Sequence, residues 1–395
     1  MINIAFIHNR FPAGGAERIT LDIAQYLIQN KNTNNNYKIH VFTTSENKLL
    51  LNNSFSEFIT INTISNKTIK KSRDIENLVK KLNIDILVQV VDNIYDIAGI
   101  KKRTGVKLVF ANHGEPFWQR YSIIARRQNS FLKRILWKMI WNKIYPDNKG
   151  GKAKRMAIER SLKIYNECDA YTVLCESYKQ ETCSAFGINP GKSHIFAIEN
   201  PERIRKHVNY EKDNIILFCG RLDNRYKRVD RVLRIWGIVQ DKLNNWKLEI
   251  VGDGPDRQEL ESLAIKLHLK RIYFKGEHKD VQKYYDRSSI LVLTSQSEGW
   301  PLCLTEAQAS GVIPIAFSCS AGVREVINHS GKYGFTVEAF DEHKFAETLI
   351  HVTSLPKEEI KKIRHNAVCF RSKYTPDIIA EKWKQLFDSL SEHKD

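Results

Sequence analysis

The sequence has no run of apolar residues near the ~20 needed to cross a bilayer, which excludes a membrane-spanning helix and leaves a soluble or peripheral protein. Its first residues, Met1-Ile2-Asn3-Ile4-Ala5-Phe6-Ile7-His8, lack the basic start and small-residue cleavage site of a secretory signal and read as a first strand. Cysteine is sparse and odd in number. The seven residues, at 168, 175, 183, 219, 303, 319 and 369, show no zinc-site spacing, and several sit in apolar runs such as Leu217-Phe218-Cys219. A disulfide framework and a zinc module are thereby excluded, and buried free thiols in a reducing cytosol are expected.

Acidic residues are outnumbered, 45 against 62 Lys and Arg, which leaves a formal charge of +17. The excess is concentrated. Between Trp118 and Lys163 thirteen basic residues face two acidic ones, a density that points to an anionic partner surface: membrane, nucleic acid or a phosphorylated acceptor. Within this insert, 117–163, the segment 131–145 carries Leu132, Ile135, Leu136, Met139, Ile140 and Ile144 on one helical stripe. Lys133, Arg134 and Lys138 border it, and Trp137 and Trp141 lie one turn apart. Two readings stand: an interfacial helix on anionic lipid, or a core-packing helix with a solvated basic face.

At 395 residues, 42% hydrophobic and 27% charged, the chain suits two globular domains. Short β-branched runs alternate with helical stretches, the pattern of parallel α/β sheets. Strands are expected at Ile2–His8, Tyr37–Thr44, Asp85–Val91, Lys107–His113, Ala170–Cys175 and Ser193–Ile198, then at Ile215–Arg221, Lys247–Asp253, Ile272–Gly276, Ile290–Ser295, Ile313–Phe317 and Gly334–Val337. The polar stretch from Glu199-Asn200-Pro201 to Asn214 reads as the link. This predicts an N-terminal domain over 1–200, a C-terminal domain over 201–372 and a last helix over 373–395 packing toward the first domain. Two doubly wound sheets would face a central cleft, with ligands at their strand carboxyl ends.

The chemistry-bearing residues fall after strands. Gly220-Arg221 and Lys227 follow the Ile215 strand, where a guanidinium fork and a point charge could hold a diphosphate, although a solvated basic turn reads equally well. Gly252-Asp253-Gly254-Pro255 follows the Lys247 strand and is also an ordinary βα turn. The most informative stretch is Ser295-Gln296-Ser297-Glu298-Gly299-Trp300-Pro301-Leu302-Cys303-Leu304-Thr305-Glu306. Pro301 suits a first helical position, so N–H groups near Leu302 and Cys303 would form an anion site. Glu306 lies inside that helix among apolar residues, where a carboxylate is costly to bury unless something binds it. The P-loop-like Gly187-Ile188-Asn189-Pro190-Gly191-Lys192-Ser193 is one residue short and precedes a strand, so it is set aside.

Glu298 and Glu306 form an E-x7-E motif. With Gly220-Arg221…Lys227, Gly252-Asp253-Gly254-Pro255, the early Gly14-Gly15-Ala16-Glu17-Arg18 and Asn112-His113-Gly114, the chain resembles the GT-B retaining glycosyltransferases of family 4, the group 1 glycosyl transferases. The resemblance is specific from about Asn214 to Ile327 and looser elsewhere. It departs at Pro201-Glu202, where the family often has Gly-Val-Asp, and at Arg324, where a Pro is common.

The resemblance implies a GT-B architecture and the following roles. Arg221 and Lys227 bind the donor diphosphate and stabilise the leaving group, and Glu306 holds the nucleotide ribose. Glu298 contacts the donor sugar beside the backbone of Gly299 and Trp300, and Pro301, Leu302, Gly252 and Gly254 also belong to the donor site. His113 reaches the donor sugar from the other domain, and Gly14 and Gly15 approach phosphate or acceptor. The expected reaction moves a hexose or N-acetylhexosamine from a nucleotide diphosphate sugar, UDP first among nucleotides, to a glycan or polyprenyl- or lipid-linked acceptor in bacterial surface polysaccharide, capsule or lipopolysaccharide assembly. The expected place is cytoplasmic, peripheral on the inner membrane face. No D-x-D sequence is present, so no metal and no cofactor beyond the co-substrate is expected. An epimerase or hydrolase on the same fold is the alternative. Nucleic-acid binding is set aside because no binding module interleaves the basic insert, and Glu298 and Glu306 would repel a phosphate backbone.

Overall fold

The computed structural model describes residues 1–12, 15–29, 36–46, 58–90, 96–120 and 151–392. They divide into two compact units, Met1–Ile198 with Lys382–Asp395, and Glu199–Glu381.

The first unit is built on seven parallel strands: β1 (Ile2–His8), β2 (Tyr37–Thr43), β3 (Thr60–Thr63), β4 (Ile86–Gln89), β5 (Lys107–Ala111), β6 (Ala170–Val173) and β7 (Ile195–Ala197). Their order is β3-β2-β1-β4-β5-β6-β7. Helices α1 (Gly15–Gln29), α2 (Thr68–Lys81), α3 (Ile97–Thr104), α4 (Gly151–Glu167) and α5 (Glu176–Phe186) lie in the crossovers. The central strands are buried on both faces and are therefore near-continuous apolar runs, Ile4 to Ile7 pairing with Ile39 to Phe42 on one side and Ile86 to Gln89 on the other.

The second unit repeats the plan with β8 (Asp213–Cys219), β9 (Lys247–Val251), β10 (Ile272–Gly276), β11 (Ser288–Leu293), β12 (Ile313–Phe317) and β13 (Phe335–Val337), ordered β10-β9-β8-β11-β12-β13. Its helices are α6 (Val229–Val239), α7 (Arg257–Lys266), α8 (Gln282–Arg287), α9 (Leu302–Ala309), α10 (Ala321–Ile327), α11 (Glu342–Ser354), α12 (Lys357–Arg371) and α13 (Pro376–Ser391). Trp236 and Phe345, from α6 and α11, close the core over Ile216, Leu248 and Val292. Both sheets are doubly wound, and each reverses its order beside its first strand, at β1/β4 and at β8/β11. Such sheets bind ligands at the strand carboxyl ends at these points.

The structure differs from the sequence expectation in several places. β3 was not foreseen, because Thr60-Ile61-Asn62-Thr63 is a half-exposed edge strand with no apolar run. The two units divide at Glu199, the start of the stretch read as the link, but that stretch begins buried: Asn200, Pro201 and Glu202 are buried, the Glu202 N–H donates to the Tyr374 carbonyl at 2.7 Å, and its carboxylate accepts from Thr305 Oγ1 at 2.7 Å. Only Cys168, Cys175 and Cys183 are fully buried; Cys219, Cys303 and Cys319 are half-buried and Cys369 is exposed, all as free thiols. In α13 the Phe387 ring meets Phe6 at 6.3 Å and Asp388 accepts from the Tyr37 hydroxyl, so this end of the helix packs in the first unit.

The P-loop-like segment ends α5 at Gly187 and forms a 3-10 turn, Pro190–Lys192, leading to β7. The basic stripe 131–145, with Lys133, Arg134, Lys138, Trp137 and Trp141, lies outside the described residues. Of the insert's other charges, Lys152, Lys154, Arg155 and Lys163 stand exposed on α4. Among the described residues no helix is long and apolar enough to cross a membrane.

Candidate active site

The loops after β8 and β11 leave neighbouring strands at the point where the second sheet reverses, so residues distant in sequence meet there. Backbone bonds fix them to each other. The Gln296 N–H donates to the Tyr226 carbonyl at 2.7 Å, and Thr294 Oγ1 donates to the Arg228 carbonyl at 2.9 Å. Arg231, buried on α6, donates through one guanidinium nitrogen to the Thr294 carbonyl at 3.2 Å and through another to Gln296 Oε1 at 2.9 Å. Its guanidinium also lies 4.1 Å from the centroid of Phe340. This bracing sets Lys227 against Glu298.

Lys227 Nζ donates to Glu298 Oε1 at 2.7 Å, and Ser295 Oγ donates to the same oxygen at 2.6 Å. Burial opposes the ammonium charge, but the Glu298 carboxylate beside it outweighs that and holds Lys227 above the ordinary lysine range. Lys227 is therefore a cation at neutral pH with two N–H groups beyond the one given to Glu298. Arg221, just past the end of β8, is exposed, and no described residue pairs with its guanidinium. The two cations expected in the sequence thus differ in kind, one braced and one open.

Glu306 is half-buried on α9, and its Oε2 accepts from the Tyr285 hydroxyl at 2.9 Å. Tyr285 is 1% exposed, and burial beside Glu306 pushes its phenol well up, so it stays a donor. The inference that Glu306 needs a ligand to be tolerated is corrected: a protein hydroxyl already serves it. Burial also pushes the Cys219 thiol, against Tyr285, up to about 11, and raises Cys303 as well, which leaves both thiols protonated.

Pro301 is the N-cap of α9 rather than its first residue, with the Leu304 N–H returning to its carbonyl at 2.9 Å. The N–H groups of Leu302 and Cys303 lie in the first turn, where a helix offers no internal acceptor. Trp300 is a packing residue, 5% exposed, its ring 5.9 Å from that of Tyr374. Only its backbone, with that of Gly299, remains as a contact of the kind the sequence predicted.

The glycines have a reason of their own. A Cβ on Gly252, at φ +131°, would stand 2.0 Å from the Gly220 carbonyl oxygen, and one on Gly254 would stand 2.4 Å from that of Leu222. The loops after β8 and β9 are zipped together by Gly220 N–H to Val251 O and Leu222 N–H to Asp253 O. Close approach of backbone to backbone demands glycine here whether or not a ligand comes near.

In the first unit His113 follows β5 and is half-buried, next to an Asx turn in which the Gly114 N–H donates to Asn112 Oδ1 at 3.1 Å. Glu17, in the first turn of α1, lies 3.5 Å from His8 Nδ1. Burial raises its pKa, but the nearby His8 and His113 prevail and lower it. Gly15 opens α1, and Gly14 lies outside the described residues.

The family model for Glycosyltransferase Family 4 matches residues 13–197, and that for Glycosyl transferases group 1 matches residues 199–368. The chain belongs to the family 4, group 1 glycosyltransferases. This glycosyltransferase is 28% identical over 391 residues, 96% of its own chain and 98% of the relative, to an uncharacterized glycosyltransferase of Haemophilus influenzae. It is 25% identical over 399 residues, 98% of each chain, to a Campylobacter jejuni alpha-1,4-N-acetyl-D-galactosaminyltransferase named for an undecaprenol-linked substrate. Among solved structures, Anabaena Alr3699/HepE in complex with UDP-glucose matches with a TM-score of 0.73 at 15% identity, covering 98% of this chain and 100% of the other. Its fold is GT-B.

Sequence reasoning about this glycosyltransferase missed Tyr285, Ser295, Arg231 and Gln296 as parts of the site. Ser295 and Gln296 stood in the quoted motif. Tyr285 and Arg231 carried no local signal, since each acts across the fold on a residue of another element.

Proposed function

We propose that this glycosyltransferase moves a hexose or N-acetylhexosamine from a nucleotide diphosphate sugar, with UDP as the nucleotide, to a glycan or polyprenyl-linked acceptor at the cytoplasmic face of a membrane, with retention of configuration, in bacterial surface polysaccharide assembly. The observation that carries this reading is the Lys227–Glu298 pair beside the exposed Arg221 at the reversal point of the second sheet. The UDP-glucose held by the Anabaena neighbour and the undecaprenol-linked substrate of the Campylobacter relative support it.

In this scheme Arg221, Lys227 and the first-turn N–H groups of α9 bind the donor diphosphate and take up the charge that grows as it leaves. Prepositioned donors of this kind need no metal and no reorganisation during the reaction. Glu298 keeps Lys227 charged and lies beside the donor sugar, Glu306 receives the ribose hydroxyls with Tyr285 orienting it, and His113 takes part from the first unit. Attack comes from the acceptor hydroxyl on the face the diphosphate leaves, and no side chain is assigned as a covalent nucleophile.

The test is a thermal-shift panel of UDP- and GDP-sugars on the full chain, followed by product analysis with and without polyprenyl-linked glycan. A cognate donor at a hundred times its Kd raises the melting temperature by roughly 5–10 °C. No shift with any nucleotide sugar overturns the reading. So does a product that is only free or epimerised sugar whether or not acceptor is present.

A further inference from the structure

We propose that Lys71 and Asn9 form a phosphate-binding subsite at the carboxyl end of β1, which receives a phosphate of the acceptor. The inference rests on the transferase reading above for its occupant, and on the geometry of the first unit for its existence.

Lys71 sits in α2 and is only 4% exposed. Its ammonium reaches across the fold to Asn9 Oδ1 at 3.2 Å, one residue beyond the end of β1 and at the edge where the first sheet reverses its order. A buried ammonium is expected to have a counter-charge. Among the described residues Lys71 has none. Among them its ammonium donates to the Asn9 amide oxygen alone, and burial, with no neighbouring charge, is what acts on it.

A comparison within the molecule separates a structural buried lysine from this one. Lys212, in the second unit, gives its three N–H groups to the carbonyls of Tyr285, Asp286 and Ser310 at 2.9, 2.9 and 2.8 Å. Every donor it owns is used. Lys71 gives one, to an amide oxygen, and has two to spare.

The amide completes the case. Lysine offers only donors, so the oxygen of Asn9 must face it, and the Asn9 NH2 is turned outward at an exposed position. Whatever meets this pair sees one full positive charge and only N–H donors. An acceptor-only anion fits, and lysine serves phosphate as a point charge. Burial alone, with no neighbouring charge, holds Lys71 below the ordinary lysine range, a condition that a bound phosphate reverses.

The experiment is calorimetry on the full chain with UDP at saturation, so that the Arg221 and Lys227 side is occupied. Two probes are titrated: inorganic pyrophosphate, and phosphatidylcholine vesicles carrying a polyprenyl diphosphate. The wild type binds at least one of them. Lys71→Met weakens that binding about tenfold or more, and Asn9→Ala, at an exposed position with no core to disturb, about threefold. Lys71→Arg keeps most of it. UDP affinity is unchanged in all three variants, and their circular-dichroism melts report on folding.

Dependence on Lys71 with pyrophosphate alone assigns a soluble phosphorylated acceptor, and dependence with the vesicles assigns a lipid-linked one; either supports the subsite. Binding of both probes by Lys71→Met as tightly as by the wild type overturns it, and so does failure of the wild type to bind either. If UDP does not bind, the donor reading fails separately, and the Lys71 dependence is read from the same titrations without UDP.

Discussion

At the reversal point of the second sheet Lys227 is matched and braced while Arg221 stands open; at that of the first, Lys71 is buried with no counter-charge among the described residues. After β8 and β11, Lys227 lies on Glu298, Ser295 on Glu298 and Arg231 on Gln296, while Tyr285, from the helix before β11, lies on Glu306. After β1, a buried Lys71 touches one exposed amide. The two sheets share one plan, so the fold is not the cause of the difference. On the proposed function, a unit that handled one invariant group, a nucleotide diphosphate, would gain from a rigid preset site, and a unit that took an acceptor would keep unsatisfied donors for it.

The largest expected effect breaks the bracing outright. Gly252→Ala puts a methyl group 2.0 Å from the Gly220 oxygen at φ +131°, and should destabilise the second unit by roughly 3 kcal/mol or more. Gly151→Ala, in the first unit with open space around it, should be neutral or stabilising by under about 1 kcal/mol. Urea denaturation of both variants checks the contrast. Equal losses would show that the loops after β8 and β9 are not held together as described.

Next in size is the chemistry. Lys227→Met should lower kcat by about 100- to 1000-fold, the range seen when one preset donor to a developing anion is removed. His113→Ala, which on the proposed function removes one hydrogen bond to the donor sugar rather than a full charge, should cost about ten- to a hundredfold. Steady-state kinetics with saturating donor separate the two. A larger loss at His113 would invert the comparison and place the chemistry in the first unit.

How much of this was legible beforehand follows from the same physics. Buried parallel strands must be apolar on both faces, so Ile215 to Phe218 or Ile313 to Phe317 announce themselves. The half-exposed edge strand at Thr60 carries no such signal. Glu298 and Glu306 stood out by their E-x7-E spacing, and Arg221 and Lys227 because they follow a strand. What Lys227 pairs with was not, because that contact spans 71 residues of sequence. The burial of the Trp300 ring was not legible, since an aromatic beside a turn gives no hint of which way it points. Gly252 and Gly254 were conspicuous, but that they accommodate carbonyls of the neighbouring loop was not legible.

A smaller effect probes positioning. Arg231→Met removes the bond to the Thr294 carbonyl and leaves Gln296 Oε1 only the longer bond from Arg228 at 3.5 Å, and should cost about 1–3 kcal/mol of stability. If the clamp aligns Glu298 with Lys227, kcat falls several-fold while the KM for donor barely moves. A purely structural Arg231 would lower the melting temperature and leave kcat per folded molecule unchanged.

The subtlest test concerns proton equilibria and uses both units at once. Burial pushes a lysine toward neutrality, and Lys71 shows burial acting alone, its pKa lowered. Lys227 is buried too, yet Glu298 raises it. For a group whose folded value lies above its unfolded one, near 10.4 for lysine, the stabilising contribution is fully present below that value and is lost only as pH climbs through the folded one. UDP binding to the wild type should therefore show no alkaline loss attributable to Lys227 between about pH 7 and 10. Glu298→Gln keeps the burial and removes the charge, so Lys227 should come to behave as Lys71 does, and UDP affinity should begin to fall within that window. Calorimetry across the range decides it: a flat profile in the variant would mean that Glu298 is not what holds Lys227 charged.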